Sequence, residues 1–329
     1  MRYVFSSLLV LAASIPAFAT VDTGLLALVP SGAKIISGVD VNRSRSSPFG
    51  QYILSKINAE NPGFQEMTQE TGFDPRRDVQ DLLFVGAGLP AEGNDARFCA
   101  LVRGNFDQSR IKKSLMSKGA TVQPYQGVEV LVDTSSHGGN ADAKAFAFAD
   151  VDVAIMGDLA SVQQVIADRA NPAALDPVLQ QLVSSAGASH DAWFASLGSG
   201  SFLADNFRRE AGQRVSPEAM QSILQSSGGI SFGDVVQLSL DAVTRSEKDA
   251  TSLVDVLRFG ASMLQMQGQK GPSAGLLTSS LDNMTLKADG SNVHIGVSIP
   301  ESSLEQLSEL RAQQRAAAAP VTPTKPSVR

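Results

Sequence analysis

The residues that could do chemistry in this 329-residue chain are three histidines, scattered carboxylates, one cysteine and two glycine-rich strings. His137, His190 and His294 are far apart, and no His-x-x-x-His or cysteine pair accompanies them. A zinc-type site needs such clustered ligands, so neither a metal site nor a cofactor motif is legible. Each histidine reads first as a surface residue. His137 lies in the loop-like Ser135-Ser136-His137-Gly138-Gly139-Asn140, and His294 on the polar side of an alternating segment.

Gly271-Pro272-Ser273-Ala274-Gly275 matches G-x-S-x-G. A nucleophile elbow needs a strand before it and a helix after it, to hold the serine exposed on a strained turn. Here a glutamine-rich helix end comes first. The acid and base would have to be Asp282 or Asp289 and the nearby His294, so a loop is expected. Gly86-Ala87-Gly88-Leu89-Pro90-Ala91 matches a dinucleotide fingerprint. That fingerprint works by opening a helix whose N-terminus holds pyrophosphate. Pro90 and Glu92-Gly93-Asn94-Asp95 read as a hairpin loop instead. Asp150 and Asp152 flank a turn, which explains them better than paired glycosidase carboxylates do. Cys99, the single cysteine, lies in an apolar strand-like run and reads as a buried, inert thiol.

The most distinctive string is Thr71-Gly72-Phe73-Asp74-Pro75-Arg76-Arg77-Asp78. Gly72 can end a helix, and Asp74 can cap a short turn with Pro75 at its first position. Arg76 and Arg77 can pair with Asp74 or Asp78, or bind an anion. Turn capping is the first reading and anion binding the second.

Elements must position these residues. Val236, Leu238 and Leu240 alternate with Gln237, Ser239 and Asp241. Val293, Ile295, Val297 and Ile299 alternate with Asn292, His294, Gly296 and Ser298. Period two with one polar face predicts antiparallel strands. Asp289-Gly290 predicts a hairpin turn. Helices are expected after Asp107, after Ser161 with Val162, Val165 and Ile166 inward, and from Ser246 to about Gln267. Further helices are expected near Phe49–Ile57, near Phe202–Arg209 and at Leu304–Leu310. The order strand-helix-strand-strand-helix-strand-strand-helix then occurs twice. The expected fold class is α+β: antiparallel sheets with helices packed on one face, built by internal duplication.

Composition supports a folded body, with 43% hydrophobic and 6% aromatic residues. Met1 and Arg2 precede an apolar run to Ile15, then Pro16 and Ala17-Phe18-Ala19. This is the pattern of a signal peptide, with Ala17 and Ala19 read by signal peptidase and cleavage before Thr20. The run is too short to span a bilayer. Five of the 27 basic residues (Arg2, Arg311, Arg315, Lys325, Arg329) lie at the two ends, which hold none of the 33 acidic ones. The body is therefore more acidic than the chain's net −6, which argues against nucleic acid as a partner. The proline-bearing end reads as a disordered basic tail able to touch an anionic surface or an envelope protein. The expected domains are residues 1–19 signal peptide, 20–186 first α+β unit, 187–311 second unit and 312–329 tail.

Thr71–Asp78, Gly104-Asn105-Phe106-Asp107, Tyr125-Gln126-Gly127-Val128, Gly157-Asp158-Leu159-Ala160-Ser161-Val162 and Asp191-Ala192-Trp193-Phe194 together resemble exported proteins of Acidobacteria-type soil bacteria. The family has no known activity, so the resemblance implies a bacterial, exported protein and transfers no catalytic residue. The expected function is non-enzymatic binding or scaffolding in the periplasm or at the cell surface. Trp193, Phe202 and Phe207 are potential anchors, though core packing is the first reading of each. The alternative is a hydrolase whose site is assembled from distant loops. A pocket bringing together two of the histidines with carboxylates in hydrogen-bond reach would favour it.

Overall fold

The computed structural model describes residues 21–56, 62–86, 98–133, 143–170, 172, 174–198, 218–268, 283–306 and 309. Its first part runs α1 (Thr23–Leu26), β1 (Ile35–Asp40), α2 (Val41–Ser46), α3 (Pro48–Lys56), α4 (Pro62–Thr71), α5 (Pro75–Asp78), β2 (Val79–Gly86), β3 (Phe98–Gly104), α6 (Gln108–Ser117), β4 (Thr121–Tyr125), β5 (Val128–Asp133), β6 (Lys144–Phe148), β7 (Val153–Asp158) and α7 (Leu159–Arg169). There follow α8 (Pro177–Ser189), β8 (Ala192–Leu197), α9 (Glu218–Gln221), β9 (Ile223–Ser231), β10 (Val235–Thr244), α10 (Glu247–Gly268), β11 (Thr285–Asp289) and β12 (Asn292–Pro300), with a short α11 over 301–306.

Local chemistry explains the boundaries. Asp107 starts α6 by accepting from the Arg110 N–H at 3.0 Å. Asp176 caps α8, with Pro177 at the first helical position. Gly72 ends α4 at φ 72° and Gly290 turns β11 into β12 at φ 54°. The cap of α7 differs from expectation. Asp158 rather than Ser161 begins it, accepting from the Ser161 N–H at 2.9 Å and from the Ser161 hydroxyl at 2.8 Å. Ser161 therefore sits within the first turn.

The strands form one 12-stranded antiparallel sheet in the order β11-β12-β10-β9-β8-β1-β2-β3-β7-β6-β5-β4. Near its middle β1 pairs with β8, Ile36 opposite Ala195 and Gly38 opposite Trp193. Gly38 is required there: a Cβ would lie 2.5 Å from the Trp193 ring and 2.8 Å from Leu83. Trp193 is thus a core residue, 6% exposed. Residues 186 and 187, where the two units were expected to divide, both lie inside α8.

One rung crosses the whole sheet: Gln123, Val130, Ala147, Ile155, Leu101, Leu83, Gly38, Trp193, Gly229, Ser239, Gly296, Thr285. From Val130 to Trp193 its apolar side chains belong to a core that α7 covers with Val162, Val165 and Ile166, and α8 with Leu179, Val183 and Ala186. Each fully buried aliphatic side chain there contributes about 2 kcal/mol. Beyond Trp193 the same face turns polar. The core of the far strands lies on the opposite face, where Ala242 and Val293 pack against Ala250, Leu253 and Val254 of α10. The expectation of helices on one face is corrected accordingly. A single continuous sheet is covered on one face by α7 and α8 and on the other by α10.

Candidate functional site

The polar stretch forms a groove of about 350 Å³. Ser189 and His190 wall it at the end of α8, and Ser239 and Gly296 form the floor. Asn283 and Thr285 close the outer side; Ser231, Gln237 and Ser298 line one end. His190 follows the last residue of α8 and is extended there (φ −132°, ψ 152°). That swings its ring over the sheet.

The ring is fixed at both nitrogens. Nδ1 lies 2.9 Å from the Ala186 carbonyl oxygen. A carbonyl only accepts, so Nδ1 carries the proton and the neutral ring has its lone pair on Nε2. Nε2 lies 2.6 Å from Ser239 Oγ, whose hydroxyl therefore donates to it. Gly229 makes this possible. A Cβ there would collide with the Ala192 carbonyl and stand 2.7 Å from the His190 ring.

A second pair lies two rungs away, on the same face. His294 Nδ1 is 2.7 Å from Asp241 Oδ1 across the β10–β12 ladder. Gly296 stands opposite Ser239. A Cβ on Gly296 would lie 3.7 Å from His294 Nε2, so that nitrogen faces the floor of the groove. Ser239 is half-buried and His294 exposed, so the groove is open to solvent. Among the described residues no carboxylate, lysine or arginine lines it; hydrogen-bonding groups predominate, with Leu238 and Val297 as apolar members.

Other candidates resolve differently. Asp74 caps α5, accepting from the Arg76 N–H at 3.0 Å. Its carboxylate also holds the Arg76 guanidinium at 2.7 Å, as Asp78 holds that of Arg77. The guanidinium hydrogen bonds keep both carboxyls below the usual range. Each arginine is thus occupied by a carboxylate of its own turn. Asp152 pairs with Arg103, which Asp22 also binds at 2.5 Å. Asp81 lies beside this cluster, directly opposite Asp40. Burial first, then the Asp40 and Asp22 charges, push its carboxyl up to about 6. Cys99 is buried, and burial pushes its thiol up to about 12. Among the described residues no group of three His, Cys, Asp or Glu side chains could hold a metal ion. None of the described helices is long and apolar enough to cross a membrane.

Of the residues singled out in the sequence, His190 and His294 come together. His137, Phe202, Phe207, the Gly271–Gly275 string, residues 87–91, the segment 1–20 with Ala17 and Ala19, and the tail 312–329 lie outside the described residues. Ser239, Asp241, Gly229 and Gly296 carry the groove, and no chemical motif in the sequence marks them. For Ser239, Asp241 and Gly296 the one signal is the polar phase of the β10 and β12 alternation.

Fold and groove define an α+β protein with an open antiparallel sheet and a polar site on one face. Comparison with protein-family models, curated proteins and solved structures finds no match.

Proposed function

We propose that this is an exported bacterial binding protein of the periplasm or cell surface, which holds an uncharged polar ligand in the groove of Ser239, His190 and His294. One observation carries the reading: a sheet face that is apolar and helix-covered around Leu83, Leu101 and Ile155 is polar and open around Ser239 and Gly296. The neutral donors and acceptors there favour hydrogen-bonding ligands over ions.

The same reading includes an internal duplication. Outward from the β1–β8 pairing, the strands run β1-β2-β3-β7-β6 on one side and β8-β9-β10-β12-β11 on the other. A helix precedes β1 and β8, and another follows β3 and β10. The β4–β5 hairpin is then an addition to the first unit, and the units join between α7 and α8. One copy kept its apolar face as core while the other turned it into a binding surface. The resemblance to exported proteins of Acidobacteria-type bacteria and the Ala17-Phe18-Ala19 string support export.

Thermal-shift screening of neutral oligosaccharides, polyols and uncharged peptides tests the binding. One class should raise the Tm of the native protein and leave that of His190→Phe unmoved. If every class left the native Tm unchanged, the reading would fail. Export is tested by sequencing the mature N-terminus, expected at Thr20. Recovery of the protein with intact Met1 in a cytosolic fraction would refute it.

A further inference from the structure

We propose that Ser239 is a nucleophile activated by His190, and that the groove cleaves carboxylic esters with uncharged polar alcohol or acyl parts. This rests on the groove being the ligand site and goes beyond binding, taking up the hydrolase alternative. Three observations on different elements carry it. The Ala186 carbonyl at 2.9 Å fixes the histidine tautomer. The 2.6 Å contact then puts the Nε2 lone pair on the Ser239 hydroxyl. The groove, finally, leaves Ser239 accessible from its open side. A serine, a histidine base and a third group orienting the base are the parts of nucleophilic acyl transfer. Here a backbone carbonyl is the orienting group.

The step balances as follows. Ser239 Oγ attacks the ester carbon while its proton passes to His190 Nε2. The tetrahedral adduct collapses, the bond to the alcohol oxygen breaks, and that oxygen takes the proton from Nε2. Water then attacks the acyl-serine, giving its proton to Nε2, and the carboxylic acid leaves as Ser239 regains its hydrogen. His294 is placed to assist. Held by Asp241 through Nδ1 at 2.7 Å, its Nε2 faces Gly296, the residue opposite Ser239. When protonated, that nitrogen donates toward the oxyanion.

The test treats the full-length mature protein with a fluorophosphonate probe and with p-nitrophenyl acetate. Labelling should map to Ser239 by peptide mass spectrometry. Ser239→Ala should abolish it, and His190→Gln should slow it by about 100-fold or more, the usual worth of a general base. Circular dichroism melts check that both variants fold; a fold-competent Ser239→Val is the fallback. Ester hydrolysis unchanged in Ser239→Ala would assign the rate to exposed histidines and overturn the proposal. So would a folded native protein that takes no label at Ser239. A ligand-induced Tm shift that persists while labelling fails would leave binding standing and remove the nucleophile. Labelling without any ligand shift would do the reverse.

Discussion

Asp81→Asn should stabilise the protein at neutral pH and leave it unchanged near pH 4. Asp81 and Asp40 face each other across β1 and β2, an arrangement of like charges that costs energy in a sheet. Asp40 cannot turn away freely, because its Oδ1 accepts the Arg43 N–H at 2.8 Å at the start of α2. Arg103, the pairing partner of Asp81 in β3, is already held by Asp22 and Asp152. Burial and the two neighbouring charges thus raise the Asp81 carboxyl to about 6, from an unfolded value near 4. The sign follows from linkage. The folded state binds the proton more tightly, so this contribution is complete below about pH 4 and is lost as pH rises through about 6. Taken in full the shift is worth roughly 3 kcal/mol. Asp81 is only half-buried, so solvent screening reduces this to about 1 kcal/mol. Urea unfolding of both proteins at pH 4 and pH 7.5 measures it. The expected gain of the variant is about 1 kcal/mol at pH 7.5 and none at pH 4. An equal difference at both pH values, or a less stable variant at pH 7.5, would refute the electrostatic reasoning.

Arg43→Ala should cost about 2 kcal/mol in urea unfolding, because it removes the 2.8 Å partner of Asp191, whose side chain is 5% exposed. A loss indistinguishable from zero would mean that the Phe232 N–H, 2.5 Å from Asp191 Oδ2, suffices alone. Asp158→Ala should cost about 1 kcal/mol through the lost cap of α7, while Ser161→Ala, inside the first turn, should cost less; the reverse order would place the cap at Ser161. Cys99 should resist iodoacetamide at pH 8 in the folded protein and react in urea, since burial disfavours its thiolate. Rapid alkylation of folded protein, followed by mass spectrometry, would contradict its burial. Gly229→Ala should displace the His190 ring and, as an overpacking change, cost about 1–3 kcal/mol; an unchanged histidine resonance by NMR would show that the strand can yield.

Much of the fold was legible because its signals are local. The alternation around Leu238 and Ile295 gave β10 and β12, Asp289-Gly290 gave their neighbouring turn, and Asp107 and Ser246 marked helix starts. The start of α7 was misplaced because Leu159 and Ala160 preceded the periodic residues without adding to them. The continuity of the sheet was not legible. It depends on β1 meeting β8, and no periodicity announces which strand pairs with which. The groove was half legible for the same reason. Ser239 and His294 were visible as polar-face residues, but His190 reaches Ser239 across 49 residues of sequence. Only the adjacent Gly228 and Gly229 inside β9 signal that something must lie close upon the backbone.

The β1–β8 pairing also has a consequence for the order in which the molecule can be completed. β1 is bonded to β2 on one side and to β8 on the other. A chain emerging N-terminus first can join β1 to β2 long before residues 192–197 arrive. Until then one side of β1 is a raw edge of unpaired amides and carbonyls, in the middle of what will become the sheet. The early half is therefore an adhesive intermediate whose remedy is its own late half. A stall between residues 170 and 192 leaves that edge on β1, and one just after residue 200 moves it to β8, until β9 (Ile223–Ser231) arrives.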